Sequence, residues 1–475
     1  MRRAVFAAHA SRRVLAATVA AAMGLAGCGD LVKTRFQRPA LELPAGWRGT
    51  YATTGQQVAD GGAWWKRFGD PQLDALIERA LRTNNDLAAA GIRLYSARLQ
   101  AGLTNTNLTP NVSVSAGPSY SRNLTRGGAT TRSTSINLQA SYELDLWGRL
   151  ARVRDAAAWE AEASEYDRRA TALALINTVA SLYWQIANLN ATAATTKESI
   201  ATAQRTLTLI HVQHEAGEVS EFEESQVRSE LDSLLGNMTQ IQQQLESSRN
   251  ALAIVFNQPP SHREPELDAL PIRPLPALPD VMPAQLLSRR PDLQAAQTRL
   301  KETLAQADAQ RLAFYPTFSL TGSVVSGDLS IADILRNPIG TIAGSLALPF
   351  IQFNTADLTI RSSKATYDLA VVNFRKSLYQ ALADAETAIA SCRESAIEVS
   401  ARQRSLTAAR TAETLAEVRY RAGSTSLTDW LSLQQSRQTT ELQLQQAILN
   451  QYVNMLTLYV AIGGDPQGQD VAAES

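Results

Sequence analysis

From Arg149 to Ala216 the chain runs 68 residues without a glycine or a proline, and Gly217 ends the run. Inside it Leu175, Val179, Leu182, Ile186, Leu189, Ala193, Thr196, Ile200, Ala203, Leu207 and Ile210 recur in alternating steps of four and three. That 3.5-residue period is the seam of a left-handed coiled coil. At about 1.5 Å per residue the segment predicts a rod roughly 100 Å long, more than most globular domains can house. Aromatic residues make up only 6% of the chain, low for one large core.

The rod is written twice. Sliding the sequence by 206 residues places Asp86-Leu87 on Asp292-Leu293, Pro110 on Pro316, Ile136 on Ile342 and Ala216-Gly217 on Ala422-Gly423. Residues 350–422 again lack Gly and Pro, and carry a second seam through Leu378, Leu382, Ala385, Ile389, Cys392, Ala396 and Val399. Four landmarks at one offset indicate an internal duplication. Each half reads helix, strand, strand, long helix, helix. The opening helix is predicted over Gln72–Thr104, with its counterpart starting near Pro283. Strands are predicted near 111–121, 134–146, 317–326 and 340–351, and long helices over 149–216, 219–256, 354–422 and 427–461.

The strands carry the functional signal. Ile136, Leu138, Ala140, Tyr142 and Leu144 alternate with Asn137, Gln139, Ser141, Glu143 and Asp145. This period of two, at roughly ten residues per strand, fits strands that cross a bilayer with one apolar face and one polar face. Two soluble hairpins packed on a helix are the plainer alternative. The loops Arg122–Arg132 and Gly327–Pro338 are the long connections expected outside the cell. Four strands cannot close a barrel, and an open edge in lipid leaves backbone groups unpaired. Strands must then be pooled between copies: two copies give eight strands with a filled interior, and three give twelve with a lumen. A lumen favours three.

Arg2, Arg3, Arg12 and Arg13 precede an apolar stretch that ends Leu25-Ala26-Gly27-Cys28, which resembles a bacterial lipobox. Residues 1–27 are expected to be a signal peptide, with Cys28 the acylated start of a lipid-anchored segment, 28–63, on the outer membrane. Cys392 then has no disulfide partner. Eight of the 18 prolines fall in 259–283, a connector that is either a free linker or a strap along the rod. It divides a first repeat, 64–258, from a second, 284–462, and 463–475 is expected to be a flexible tail. Lys+Arg and Asp+Glu are equal at 45, which argues against a nucleic-acid partner. No 18-residue apolar run is found, so a spanning helix is not expected. No nucleotide loop, nucleophile–His arrangement or zinc motif is present. His211 and His214, one turn apart, read as a surface pair, and no catalytic residue, metal or cofactor is expected beyond the acyl groups on Cys28.

Several motifs together resemble the TolC-like outer-membrane efflux factor family, in its lipoprotein branch (NodT-type). They are Trp64-Trp65-Lys66-Arg67-Phe68-Gly69-Asp70-Pro71-Gln72-Leu73, Leu76-Ile77, Asn84-Asn85-Asp86-Leu87, Tyr142 through Arg149, Gln226-Val227-Arg228 and Arg419-Tyr420-Arg421-Ala422-Gly423. The resemblance implies a homotrimer in outer-membrane lipid: a twelve-stranded barrel continued by a long α-helical coiled-coil tunnel through the periplasm. It further implies docking on a periplasmic adaptor (membrane fusion) protein joined to an inner-membrane pump of the resistance-nodulation-division type. Such a chain is an exit duct for drugs or other small toxic compounds, not an enzyme. The outer-membrane component of type I protein secretion shares the architecture, and a lipid-anchored coiled-coil scaffold or adhesin is a third reading.

Two breaks then acquire a role. Gly217, Glu218, Val219 and Ser220, with Gly423, Ser424, Thr425 and Ser426, are expected to form exposed tips that touch the adaptor, residues 218–222 and 424–428 lying open. A gate is expected nearby, from Asp429, Arg421, Arg419, Glu223 and Arg228, with Glu221 and Glu224 adjacent. The same acids also suit a helix start favoured by the dipole. Family members often carry an aspartate nine residues after the second glycine; here that position is Ser432, so Asp429 stands in for it.

Overall fold

The computed structural model describes residues 32–47, 63–124, 130–276, 283, 286–328 and 338–464. Cys28, the signal peptide and the centres of both predicted loops lie outside the described residues. The elements are α1 (Pro71–Thr83), α2 (Asn85–Thr106), β1 (Asn111–Arg122), β2 (Thr130–Leu144), α3 (Arg149–Glu215), α4 (Glu221–Val255), α5 (Pro291–Leu312), β3 (Thr317–Asp328), β4 (Ile339–Ala347), α6 (Phe353–Arg421) and α7 (Leu427–Ala461). The offset of 206 holds to the residue at both ends of α2 and α5, of β1 and β3, and of α4 and α7. The duplication is therefore one of backbone geometry, with side chains free to diverge.

The chain divides into two compact units. The described residues of the first fall within Met1–Leu41, Ile92–Glu165 and Ala295–Lys376. Its sheet is antiparallel in the order β1-β2-β3-β4. Pairing aligns Val114, Leu138, Val324 and Gly340 in one cross-strand row, and Val112, Ala140, Gly322 and Ile342 in another. Between them lies a polar row, Ser113, Gln139, Ser323 and Thr341. One face is therefore apolar and the other polar, broken by Val325 and Ile339. Strands run longer toward the loops than expected, because β1–β2 pairing continues to Arg122 and Thr130. They stop earlier at the helical end: β4 ends at Ala347, where Pro349 has no N–H for the ladder.

The turn from β2 into α3 accounts for the Tyr142–Arg149 motif. Asp145 leaves the strand and accepts from the N–H groups of Leu150 (3.0 Å) and Ala151 (2.7 Å) at the start of α3. Trp147 Nε1 donates to the Pro316 carbonyl at 2.8 Å and its ring meets Tyr315 at 5.4 Å. Arg149 closes the turn on Glu143 at 2.8 Å. Thr34 is held on α5, where it donates to the buried Asp308 carboxylate through N (3.0 Å) and Oγ1 (2.6 Å).

The described residues of the second unit fall within Glu42–Gly91, Tyr166–Gln294 and Ser377–Ser475. Every residue of the first heptad seam is buried or half-buried. In the second seam Ala396 is exposed, and Ser395 turns inward instead. One stretch of α3 reaches the hydropathy of a spanning helix, contrary to expectation, but 56% of it is buried in the protein and it serves as core. That core is aromatic: Trp64 stacks on Tyr459 (5.1 Å), and Phe68 and Tyr452 pack on Trp184 (5.0 and 5.1 Å).

Two expectations are corrected here. The opening helix is two helices, because the Asn84 side chain caps α2 by accepting from Asp86 N and Leu87 N, both at 3.0 Å. Asn84 Nδ2 meanwhile donates to the Val255 carbonyl at 2.9 Å. In the second repeat the corresponding break falls at Arg290, between a single turn at Leu286–Arg289 and α5. The tail does not begin at Gly463. Gly463 and Gly464 are buried at φ 92° and 59°, and a Cβ on Gly463 would lie 2.6 Å from the Arg289 backbone.

Over its described residues the Pro-rich connector is a strap. Glu266 holds Arg249 through both carboxylate oxygens at 2.7 Å, Glu264 is buried against Arg79, and Tyr452 donates its hydroxyl proton to the Pro271 carbonyl at 2.9 Å.

Candidate functional site

Both long helices end in the same way. The N–H of Gly217 donates to the His214 carbonyl (2.9 Å) and that of Glu218 to Gln213 (2.9 Å). Gly423 and Ser424 repeat the pair on Tyr420 (2.8 Å) and Arg419 (2.9 Å). This is a Schellman ending, which requires a left-handed residue after the helix. Gly217 (φ 76°) and Gly423 (φ 71°) supply it.

The chain turns at once into a capped helix. At the second turn, Ser426 Oγ accepts from Asp429 N (3.1 Å), while the Asp429 carboxylate accepts from Ser426 Oγ (2.7 Å) and Thr425 Oγ1 (3.1 Å). At the first, Glu223 reaches back to Ser220 N at 3.0 Å and to its hydroxyl. The Ser220 hydroxyl holds the Glu223 carboxyl below the ordinary range, and those of Ser426 and then Thr425 do so for Asp429. Beneath both turns Ile210, Val227, Ala416, Leu427 and Trp430 form one buried cluster, with Tyr420 stacked on Trp430 at 5.2 Å. Thr428 Oγ1 donates to Gln226 Oε1 (3.2 Å), joining the two capped helices.

The expected tip residues thus occupy two adjacent turns in one unit. Leu427 departs from the expectation of an open stretch at 424–428: its side chain fills the cluster. The expected gate residues sit close by but are engaged in separate pairs. Glu223 and Asp429 serve as caps, Arg421 holds Glu417 (2.5 Å), and Arg228 holds Glu224 (2.8 Å). The Arg419 carbonyl accepts from Ser424 N and Oγ. Ser432 Oγ donates to the Asp429 carbonyl at 2.8 Å. His211 Nδ1 lies 3.2 Å from Glu224 and its Nε2 3.6 Å from Glu215, while His214 Nδ1 lies 3.1 Å from the Val219 carbonyl.

Burial of Glu224 was not anticipated. It occupies the repeat position of Trp430, is 8% exposed, and lies against Arg228 and His211. The spacing Glu224-x-x-x-Arg228 was the available signal.

Residues 76–258 and 282–464 each match the family model described as "Outer membrane efflux protein". The chain is 30% identical over 431 residues to the pyoverdine export outer membrane protein OpmQ of Pseudomonas putida, covering 89% of this chain and 92% of that protein. It is 27% identical over 451 residues to the cation efflux system protein CusC of Escherichia coli, covering 93% and 97%. Among solved structures, the open-state MtrE outer membrane channel of Neisseria gonorrhoeae superposes with a TM-score of 0.81 at 26% identity, over 91% of this chain and 98% of that one.

Proposed function

The chain belongs to the outer membrane efflux protein family, so it is a transport duct and not an enzyme; from that premise we propose that three copies form the exit channel of a tripartite pump. The observation that carries this is the sheet. Its apolar face is open, with Val114 68% and Ile342 84% exposed, and β1 and β4 are edges without a neighbour in the sheet. In water such edges and such a face are a liability. In lipid the face is satisfied at once, and the edges are satisfied when β4 of one copy pairs with β1 of the next. The twelve residues of β1 and of β3, at about 3.3 Å each and tilted by roughly 40°, rise about 30 Å, enough for the hydrocarbon core.

The flanking helices support the same ring. α2, which feeds β1, exposes Ile92, Tyr95, Leu99 and Leu103 at helical spacing, and α6, which follows β4, exposes Leu358, Leu369 and Val372. Each stripe continues an edge of the sheet along the chain, so copies meet head to tail and the ring closes. The turns at Gly217 and Gly423 meet a periplasmic adaptor that joins the duct to a resistance-nodulation-division pump. Acyl chains on Cys28 anchor each copy to the membrane. The cargo consists of drugs or other small toxic compounds that the pump delivers.

Deleting the gene in its host and measuring susceptibility to antibiotics, dyes, solvents and metals tests this reading. Hypersusceptibility restored by the wild-type chain is expected; an unchanged profile across all four classes overturns it.

A further inference from the structure

The two turns share a backbone and differ in chemistry at matched positions. Both long helices expose the same apolar pair before the turn, Leu209 and Val212 in one and Leu415 and Val418 in the other. After that the repeats diverge. Glu215 is matched by Arg421, Glu218 by Ser424, Glu221 by Leu427, and Phe222 by Thr428. From His211 to Glu223 there are four carboxylates and no Lys or Arg; over the matched stretch Glu417 to Asp429 there are two carboxylates and two arginines.

We propose that the turns are unequal half-sites and that the first, centred on Phe222, selects the periplasmic partner through an apolar socket edged with lysine or arginine. The proposal rests on the efflux-duct reading and names the chemistry of its partner. Phe222 is 69% exposed in the first turn of α4, although the buried cluster lies directly beneath that helix. Aromatic side chains presented in this way become the anchors of interfaces once a partner covers them. In the same turn Glu215, Glu218 and Glu221 are exposed, and none of the three has a Lys or Arg partner among the described residues; the His211 ring lies 3.6 Å from Glu215. Glu223 is withdrawn into its cap and Glu224 into the Arg228 pair. Three carboxylates in one turn with an apolar anchor favour a basic partner and repel an acidic one.

The second turn has settled its own groups. Arg421 is neutralised by Glu417, Thr428 donates to Gln226, Ser424 donates to the Arg419 carbonyl, and Leu427 is buried. It offers shape with little charge. A partner that engages both turns gains its discrimination at the first.

The test uses the full-length channel in its deletion host. A photo-crosslinking benzoylphenylalanine replaces Phe222, and mass spectrometry maps the partner peptide it captures. The captured peptide is expected to come from a periplasmic protein and to carry Lys or Arg within one helical turn of the crosslink. With the crosslinker in place, the triple change E215K/E218K/E221K should reduce capture at least tenfold. In channels that keep Phe222 the same triple change should abolish dye efflux, and F222L should retain more efflux than F222S. With the crosslinker in place, the change R419E/R421E should leave capture within twofold of the channel that keeps both arginines. Trimers on unheated gels establish that each variant folds. Equal losses from the two turns, undiminished export by the triple-lysine variant, or an acidic captured peptide would overturn the proposal. If the wild-type chain itself confers no efflux, the duct reading fails instead, and the two failures are separable.

Discussion

Single residues decide where the rods turn. Gly217 and Gly423 hold left-handed backbone with open space around them, so only conformation opposes a larger side chain there. Replacing either with valine should destabilise its turn by about 1–2 kcal/mol. Hydrogen exchange at residues 213–224 or 419–430 should accelerate, while the barrel is unaffected. Glu302 offers a second test. Burial, and then the negative charge of Glu160, pushes its carboxyl up to about 7. A raised acid weakens the fold as pH climbs from the ordinary 4.5 toward that value, because only the unfolded chain ionises freely. Glu302→Gln removes that penalty. Because the group is only half-buried, the expected gain is about 1 kcal/mol, seen in thermal melts above pH 7 and absent near pH 4.

At the scale of elements, caps and endings set the lengths. Asp145 is the acid that starts α3, and Asp145→Ala should destabilise that junction by about 1–2 kcal/mol, read as a lower melting temperature of the trimer. Glu223 and Asp429 have lowered pKa values, so their stabilisation is full above the ordinary carboxylate values of 4.5 and 3.8 and is lost as pH falls below those values through the lowered ones. Amides at both turns should therefore exchange faster below about pH 4, after correction for intrinsic rates, with helix centres following only later.

These elements were legible in the sequence to different depths. The seam from Leu175 to Ile210 and the alternation from Ile136 to Leu144 announced rod and strand, because their periods repeat over many residues. The break at Asn84 was not announced: asparagine within an apolar helical pattern reads as a tolerated residue until its cap and its bond to Val255 are seen. Nor was the role of Glu224, since a carboxylate in a first helical turn reads as solvent-facing unless its partners are known. The expected gate illustrates the same limit. The charge of Glu223 and Asp429 suggests a gate, and within one chain that charge is engaged in capping.

At the scale of the whole molecule, the expected gate residues are engaged in separate pairs within one chain, so a gate built from them would have to be made between the copies of the proposed trimer. If Asp429 and Arg421 participate, Asp429→Ala with Arg421→Ala should raise single-channel conductance in planar bilayers several-fold, whereas unchanged conductance would remove them from the gate. The central claim is that four strands per chain are pooled among three. A single cysteine at Ser113 in β1, combined in turn with single cysteines along Ile339–Ala347 in β4, tests it directly after mild oxidation in intact outer membranes. Cys392 does not interfere, because burial pushes its thiol up to about 12. The account predicts that alternate β4 positions crosslink and that the products include a covalent ring of three chains. Monomers at every position, or products that stop at two chains, would contradict it.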